Sequence, residues 1–287
     1  MIIVTGADGF IGRNLVEKLN ILTNKKIITV DFMNSNVHPM VLFEFIEHNK
    51  DKIEVIFHNG ARSDTTESAL KYIMGHNTDY TIDLIRICMK YDIRLIYASS
   101  ASVYGDGPFV ESAPCKPKNL YAMSKSTIDM YCSMLFGKTS QIIGLRYFNV
   151  YGRYEENKGH MASVIYKFYN QIKTGKVQVF QNSHNYLRDF VHIDDVIDWN
   201  LFFYNNPSYS GIYNVGTGVE RSFQDIANIF KKRYNVEIED IPMPSSLVDK
   251  YQAFTKSDNS KALDLRDYKY KTLEEGVDRY LSYLEAI

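Results

Sequence analysis

Cysteine is scarce in this chain, and its scarcity excludes a good deal. Only Cys88, Cys115 and Cys132 occur among 287 residues, and none lies at the close paired spacing of a metal site. An odd, sparse count fits a reducing compartment, so the three are read as structural and no metal is expected. Excess charge is lacking too. The chain has 33 Lys and Arg against 34 Asp and Glu, a net charge of −1. No basic field argues for nucleic acid or for an anionic membrane surface. No apolar run approaches the roughly 20 residues that span a bilayer. No charged leader stands before the first apolar run, and a cytoplasmic location is expected. Internal repeats, low-complexity tracts and linkers are missing as well. What remains is 45% hydrophobic and 23% charged, the balance of a soluble globular chain with one large core or two joined lobes. Tyrosine is abundant, with 22 copies, and is read as the amphipathic edge of a core.

The first dozen residues organise the rest. Met1 to Thr5 is a short apolar run. Gly6, Gly9 and Gly12 follow, and then an amphipathic segment with Ile11, Leu15, Val16, Leu19 and Leu22 on one face. That order is strand, glycine-rich turn, helix. The glycines let backbone approach a pyrophosphate, and the helix start offers it free N–H groups and a positive dipole end. Lys26 to Asp31 reads as a second strand ending in an acid, 19 residues beyond Gly12. A carboxylate there accepts hydrogen bonds from ribose hydroxyls and repels a 2′-phosphate. No Arg or Lys follows within ten residues, so NAD is favoured, with NADP as the alternative.

The pattern beyond alternates strands and helices, which implies an α/β fold: a Rossmann-like doubly wound parallel sheet covered on both faces. Residues 32–54 are the least regular part. Met40 to Ile46 fits a helix, but no clear third strand follows Asp31, which leaves it missing or very short. Strands are expected at Val55–Ala61, Arg94–Ser100 and Gln141–Tyr147, with helices over about 77–91 and from Tyr121 to about Phe136. Residues 106–120, with three prolines, read as a loop. After Gly152 the rhythm changes. A helix near 161–173, an extended run at Val177–Phe180, a strand running into a helix from Arg188, and a short strand at Ile212 are expected. Ser222 is a candidate N-cap, and a last amphipathic helix covers about 272–285. The division expected is a dinucleotide-binding domain over 1–152, completed by part of 188–208, and a smaller interleaved α/β substrate-binding lobe over most of 153–287.

Chemistry is carried by Tyr121 and Lys125, one helical turn apart. A carbinol carbon releases hydride only if its hydroxyl proton has somewhere to go. A free phenol, with a pKa of about 10, is a poor base at neutral pH. A nearby ammonium favours the phenolate and lowers that value. Lys125 can also hydrogen-bond the nicotinamide ribose. Ser100 ends the preceding strand and can hold the substrate hydroxyl, with Ser102 as its understudy.

The glycine turn, Ser100 ahead of Ala101–Gly105, and Tyr121 with Lys125 resemble the extended short-chain dehydrogenase/reductase family. Its members are NAD(P)-dependent enzymes that oxidise and re-reduce nucleotide-linked sugars. Its dehydratases usually carry an Asp-Glu pair after the strand-end serine or threonine. Here Ala101, Ser102 and Val103 stand in that region, which disfavours elimination. A narrower resemblance joins Gly144–Gly152, Lys158–Val164, Arg188–Val191 and Tyr251–Thr255 to the ADP-glycero-manno-heptose 6-epimerases, which make a heptose precursor of bacterial lipopolysaccharide. It runs the length of the chain.

The resemblance implies an isomerase inverting the sixth carbon of a nucleotide-linked heptose, with these roles. Gly6, Gly9, Phe10, Ile11 and Gly12 meet the pyrophosphate, and Asp31 and Phe32 the ribose. Asn59, Gly60, Ala61, Arg62, Ser63, Asn77 and Val150 line the cofactor. Tyr121 is one acid/base and Lys158 the second, also touching the cofactor. Ser100, Asn149, His160, Lys167, Phe180, Gln181, Asn182, Ser183, Arg188 and Tyr251 hold the nucleotide-sugar. Two acid/base groups are needed because hydride leaves one face of the carbon and returns to the other. The cofactor cannot move, so the exocyclic group rotates and its oxygen meets a second proton donor. A homo-oligomer is implied as well. Without the resemblance Lys158 reads as a solvated surface lysine.

Two departures stand out. The stretch after Asp31 is about 15 residues shorter than the doubly wound pattern leads one to expect. His160 and Lys167 stand where the epimerases have serine and histidine. The alternative enzyme is a 4-epimerase or 4-dehydrogenase of a GDP- or UDP-linked sugar, which needs no second base. A cofactor-binding regulator without turnover is a third reading, opposed by the intact Ser100, Tyr121 and Lys125.

Overall fold

A computed structural model describes residues 1–31, 39–244 and 252–287. Two candidate site residues, Phe32 and Tyr251, lie outside the described residues. The central sheet has six strands: β1 (Ile2–Thr5), β2 (Ile27–Val30), β3 (Val55–His58), β4 (Arg94–Ser100), β5 (Ile142–Tyr147) and β9 (Gly211–Val215). Their spatial order is β2-β1-β3-β4-β5-β9, and every pairing is parallel. Parallel strands need crossovers, and the alternating pattern of the sequence supplies them.

The period-2 pattern of the strands sorts the helices onto two faces. Ile2, Val4, Val55 and Phe57 point to one face, with Leu15 and Leu19 of α1 (Phe10–Leu22) and Trp199 and Phe203 of α7 (Ile193–Asn205). Ile3, Ile56 and Leu95 point to the other. There they meet α2 (Pro39–Asn49) through Leu42 and Ile46, α4 (Tyr80–Lys90) through Leu84 and Ile85, and α5 (Leu120–Ser133) through Ile128. Each aliphatic side chain taken fully out of water contributes about 2 kcal/mol. Leu22, the last residue of α1, was expected on its buried face but is 58% exposed.

After Asp31 the described chain resumes at residue 39. Among the described residues no strand lies beyond β2. The chain returns through α2 to β3, on the far side of β1, and a right-handed crossover in that direction puts α2 on the face opposite α1. The strand order therefore reverses at β1, and the crevice outside β1 and β3 is the place where such sheets bind ligands.

The helix expected over 77–91 starts earlier. Leu70–Ile73 (α3) continues through a π-helical turn, Met74–Asp79, into α4. Gly75, Asn77, Thr78 and Asp79 are weak helix formers, which hid the turn from propensity.

The remaining strands build a second unit. β6 (Asn149–Tyr151), β8 (Leu187–His192) and β10 (Glu220–Ser222) form one sheet, and β7 (Lys176–Phe180) pairs with β11 (Glu237–Ile241). Phe168 of α6 (Val164–Gln171), Phe230 of α8 (Phe223–Tyr234) and Leu281 of α10 (Leu273–Ala286) pack beneath them; α9 (Ser260–Leu263) is a short turn. Ser222 caps α8 as expected, in a reciprocal capping box with Asp225. Among the described residues no helix is long and apolar enough to cross a membrane.

Candidate active site

The glycine turn sits at the reversal point. Gly6 has φ +64, and a Cβ there would lie 2.6 Å from Gly60 N. A Cβ on Gly12 would lie 2.0 Å from the Gly6 carbonyl oxygen. Gly9 caps α1 with no side chain over it, so no side-chain oxygen caps the helix N-terminus. Asp31, at the end of β2, accepts the Asp8 N–H at 3.2 Å, which ties the acid to the turn. Asn59, just after β3, has a buried Nδ2 with no partner among the described residues. A glycine cradle, open helix amides, a placed acid and an orphaned buried amide fit a dinucleotide.

Beneath the turn, His58 bridges Thr5 Oγ1 at 2.7 Å and Thr81 Oγ1 at 2.8 Å. Burial pushes this imidazole down to about 3. Thr5 Oγ1 also accepts the Gly60 N–H at 3.3 Å. Asn77, from the π-helical turn, accepts the Arg62 N–H at 2.8 Å and donates to Arg62 O and Ser124 Oγ, both at 3.0 Å. Both N–H donors of its amide are engaged within the protein, and it shapes the 59–63 loop. Ala61 is half-buried, Ser63 is exposed, and the Arg62 guanidinium lies over Tyr72.

Tyr121 and Lys125 stand on α5, which Asn119 caps by accepting the Ala122 N–H at 2.8 Å. Lys125 is 3% exposed and donates to the Ala98 carbonyl at 2.7 Å. Burial brings its ammonium down to about 8, with Asp129 pulling the other way. The Tyr121 phenol is raised above its ordinary value by burial, and the Ser100 hydroxyl pulls it back down. The Lys125 ammonium uses one of its three N–H donors on Ala98, and Ser100 favours the phenolate. Ser100 itself accepts from Ser102 N at 3.2 Å and from Ser102 Oγ at 2.9 Å. Ser102 is thus a support for Ser100.

Asp129 was missed by the sequence reading. It accepts from Tyr97 OH, Ser99 Oγ and Arg146 Nε at 2.8–2.9 Å, and so fixes α5 to β4 and β5. The spacing Tyr121, Lys125, Asp129, every fourth residue on one helix face, was the available signal.

Lys158 lies in a turn, Glu156–Met161, between β6 and α6. Its Nζ sits 5.1 Å from the centre of the Phe10 ring, at the start of α1. Neighbouring Asn157 faces Asp8 and Arg13 across a cavity of about 320 Å3. Lys158 is half-buried, and burial lowers its ammonium below its ordinary value. The surface reading of Lys158 is corrected on that ground. Glu155, the other residue missed, is fully buried before the turn and accepts from Ser163 N at 2.9 Å and Ser163 Oγ at 2.6 Å. Exposed His160 places Nε2 3.5 Å from Asp64, and Lys167 is exposed on α6.

The other candidate positions fall in the second unit. Asn149 is exposed and Val150 half-buried on β6. Phe180, Gln181 and Asn182 leave β7 in a turn with Asn182 left-handed, and buried Ser183 donates to Gln224 at 2.8 Å. Arg188, 6% exposed, donates to Leu187 O at 2.9 Å and to Gln252 O, and its guanidinium lies 5.7 Å from the Phe223 ring. Gln252 in turn donates to Gly105 O, which links Arg188 to the turn that follows Ser100.

Comparison with known proteins agrees with this geometry. The NAD dependent epimerase/dehydratase family matches residues 2–216. An ADP-L-glycero-D-manno-heptose-6-epimerase of Brachyspira hyodysenteriae is 43% identical over 311 positions, covering 99% of this chain and 98% of that protein. The crystal structure of the Helicobacter pylori ADP-L-glycero-D-manno-heptose-6-epimerase superposes with a TM-score of 0.85 at 30% identity, over 100% of this chain and 96% of that one. UDP-glucose 4-epimerase of Thermotoga maritima shares the fold, with a TM-score of 0.85 at 24% identity over 99% of this chain and 98% of its own. This chain belongs to the NAD dependent epimerase/dehydratase family.

Proposed function

We propose that this chain is a 6-epimerase of ADP-glycero-manno-heptose, interconverting the D-glycero and L-glycero forms for lipopolysaccharide biosynthesis. The observation that carries the reading is Lys158, half-buried on its turn beside the start of α1. A simple dehydrogenase needs one proton-transfer group. Tyr121 and Lys158 are two, and the 43% identical relative carries the 6-epimerase name.

A bound nicotinamide dinucleotide would supply the hydride acceptance and return that inversion at the sixth carbon requires. Gly6 to Gly12, Asn59 to Ser63 and Val150 hold it, and Lys125 anchors its ribose. NAD is preferred to NADP because the Asp31 carboxylate stands at the end of β2. Ser100 hydrogen-bonds the substrate hydroxyl and favours the Tyr121 phenolate. Tyr121 removes the hydroxyl proton in one orientation of the exocyclic group. After that group rotates, Lys158 delivers a proton to the oxygen on the other side. Asn149, the 180–183 turn and Arg188 hold the nucleotide-sugar, the Arg188 fork suiting a diphosphate. Residues 1–152, with part of 188–208, make the cofactor-binding domain, and most of 153–287 the substrate lobe. The protein works as a cytoplasmic homo-oligomer.

The test offers ADP-linked glycero-manno-heptose to purified protein and follows the sixth carbon by NMR. Inversion is expected, and Tyr121→Phe and Lys158→Met each reduce it by at least about 100-fold. No inversion, even with NAD added, overturns the reading. The departures at His160 and Lys167 favour one second reading, a different nucleotide base. Inversion with GDP-linked heptose alone would select it.

A further inference from the structure

Glu155 is a carboxylate with 0% exposure. Its oxygens accept from both donors of Ser163, the N-cap of α6. Its backbone carbonyl accepts the Lys158 N–H at 2.9 Å. One residue thus fastens the Lys158 turn to the helix that carries Lys167. A buried carboxylate is costly unless donors or cations compensate it. Burial raises its carboxyl, and Ser163 and Lys158 work against that. The charged and titratable groups facing this corner can be named by element. Lys158 comes from the turn, Lys167 from α6, Tyr151 from β6 and Tyr280 from α10, with the Phe10 ring of α1 over the Lys158 ammonium. Lys158 is the cation on the same turn as this buried anion, and Lys167 is exposed on α6.

We propose that Glu155 is the positioning residue of the second proton-transfer group: it holds the Lys158 turn in place against α6 and supplies a buried counter-charge to Lys158. The proposal rests on the reading of Lys158 given above. It goes beyond it by assigning the charge state of Lys158 to a residue that touches neither substrate nor cofactor. Glu155 and Lys167 act on the Lys158 ammonium in opposite directions, Glu155 upward and Lys167 downward.

The experiment measures how the acylation of Lys158 by acetic anhydride varies with pH, read by mass spectrometry, alongside the pH profile of turnover. In E155Q the amide can still accept from Ser163 N and donate to Ser163 Oγ, so the shape is kept and the charge is lost. The Lys158 midpoint is expected to fall by about one pH unit, and the alkaline limb of kcat to move with it. In K167M the midpoint is expected to rise. E155D keeps the charge but withdraws it from Ser163, so the midpoint falls by less than in E155Q while kcat drops. It carries the test should E155Q not fold. An unmoved Lys158 midpoint in a folded Glu155 variant overturns the proposal and leaves the epimerase reading intact. Full turnover in Lys158→Met overturns that reading, while the labelling result stands on its own.

Discussion

Arg146 Nε donates to Asp129 Oδ2 at 2.8 Å, with the two side chains 4% and 2% exposed. The pair joins β5 to α5 directly below Tyr121 and Lys125. Arg146 Nη1 already lacks a partner, and Tyr97 and Ser99 depend on the same carboxylate. Removing Asp129 leaves a buried guanidinium and two hydroxyls unsatisfied. Asp129→Ala is expected to cost about 4 kcal/mol. The melting temperature should fall by roughly 10 °C. The double variant Asp129→Leu, Arg146→Met should lose less than the single one, and calorimetry on both checks this.

The glycine turn tolerates no side chain at position 12. An added Cβ would meet a backbone oxygen at 2.0 Å, and Gly6, which supplies it, is itself fixed at φ +64. Gly12→Ala is expected to weaken NAD binding at least about tenfold, since the pyrophosphate needs that close approach. Gly75 makes the contrast, since its Cβ would meet nothing within 4 Å. Gly75→Ala should leave binding unchanged and stabilise the helix by about 0.5 kcal/mol. Titration calorimetry and melting curves on the two variants separate them.

His58 makes the fold sensitive to acid. Its folded value is about 3, against an ordinary 6.5, because burial between Thr5 and Thr81 admits only the neutral ring. The unfolded chain takes up a proton as pH falls below 6.5, and the folded chain does not until about 3. Stability from this residue is therefore complete above 6.5 and is lost progressively below it. Between pH 7 and pH 5 the protein should lose about 2 kcal/mol more than His58→Gln. Urea melts at the two pH values measure the difference, and equal losses would refute it.

The sequence was most legible where signals are local. The strand, glycine turn and helix at the start, the Ser222 cap of α8 and the last helix near 272–285 all rest on neighbouring residues, and all three are present. The π-helical turn at 74–79 was not legible, because packing of Asn77 and Thr78 on α5 overrides weak propensity. Asp129 and Arg146 are ordinary charges in sequence and become a clamp only when β4, α5 and β5 meet. Lys158 shows the same limit. Its turn is polar, so nothing local tells a half-buried lysine from a solvated one, and only the resemblance pointed to it. Of the stretch after Asp31, residues 32–38 lie outside the described residues, and the helix expected at Met40–Ile46 is present within α2.

Lys125 acts in the same sense as His58, but in the alkaline range. Its ammonium has an ordinary value of 10.5 and a folded value of about 8, because burial against Ala98 disfavours the charge more than Asp129 restores it. The cost of holding it charged is full below about 8. As pH rises from 8 towards 10.5 the folded state sheds the proton while the unfolded state still carries it, so this residue's penalty fades. Relative to Lys125→Met, the protein should gain about 3 kcal/mol of stability across that window. Comparison with the methionine variant cancels the contributions of the other lysines and of the tyrosines. A flat difference between the two proteins from pH 8 to 10.5 would mean that Lys125 titrates as an exposed lysine does, and that its bond to Ala98 does not keep it dry.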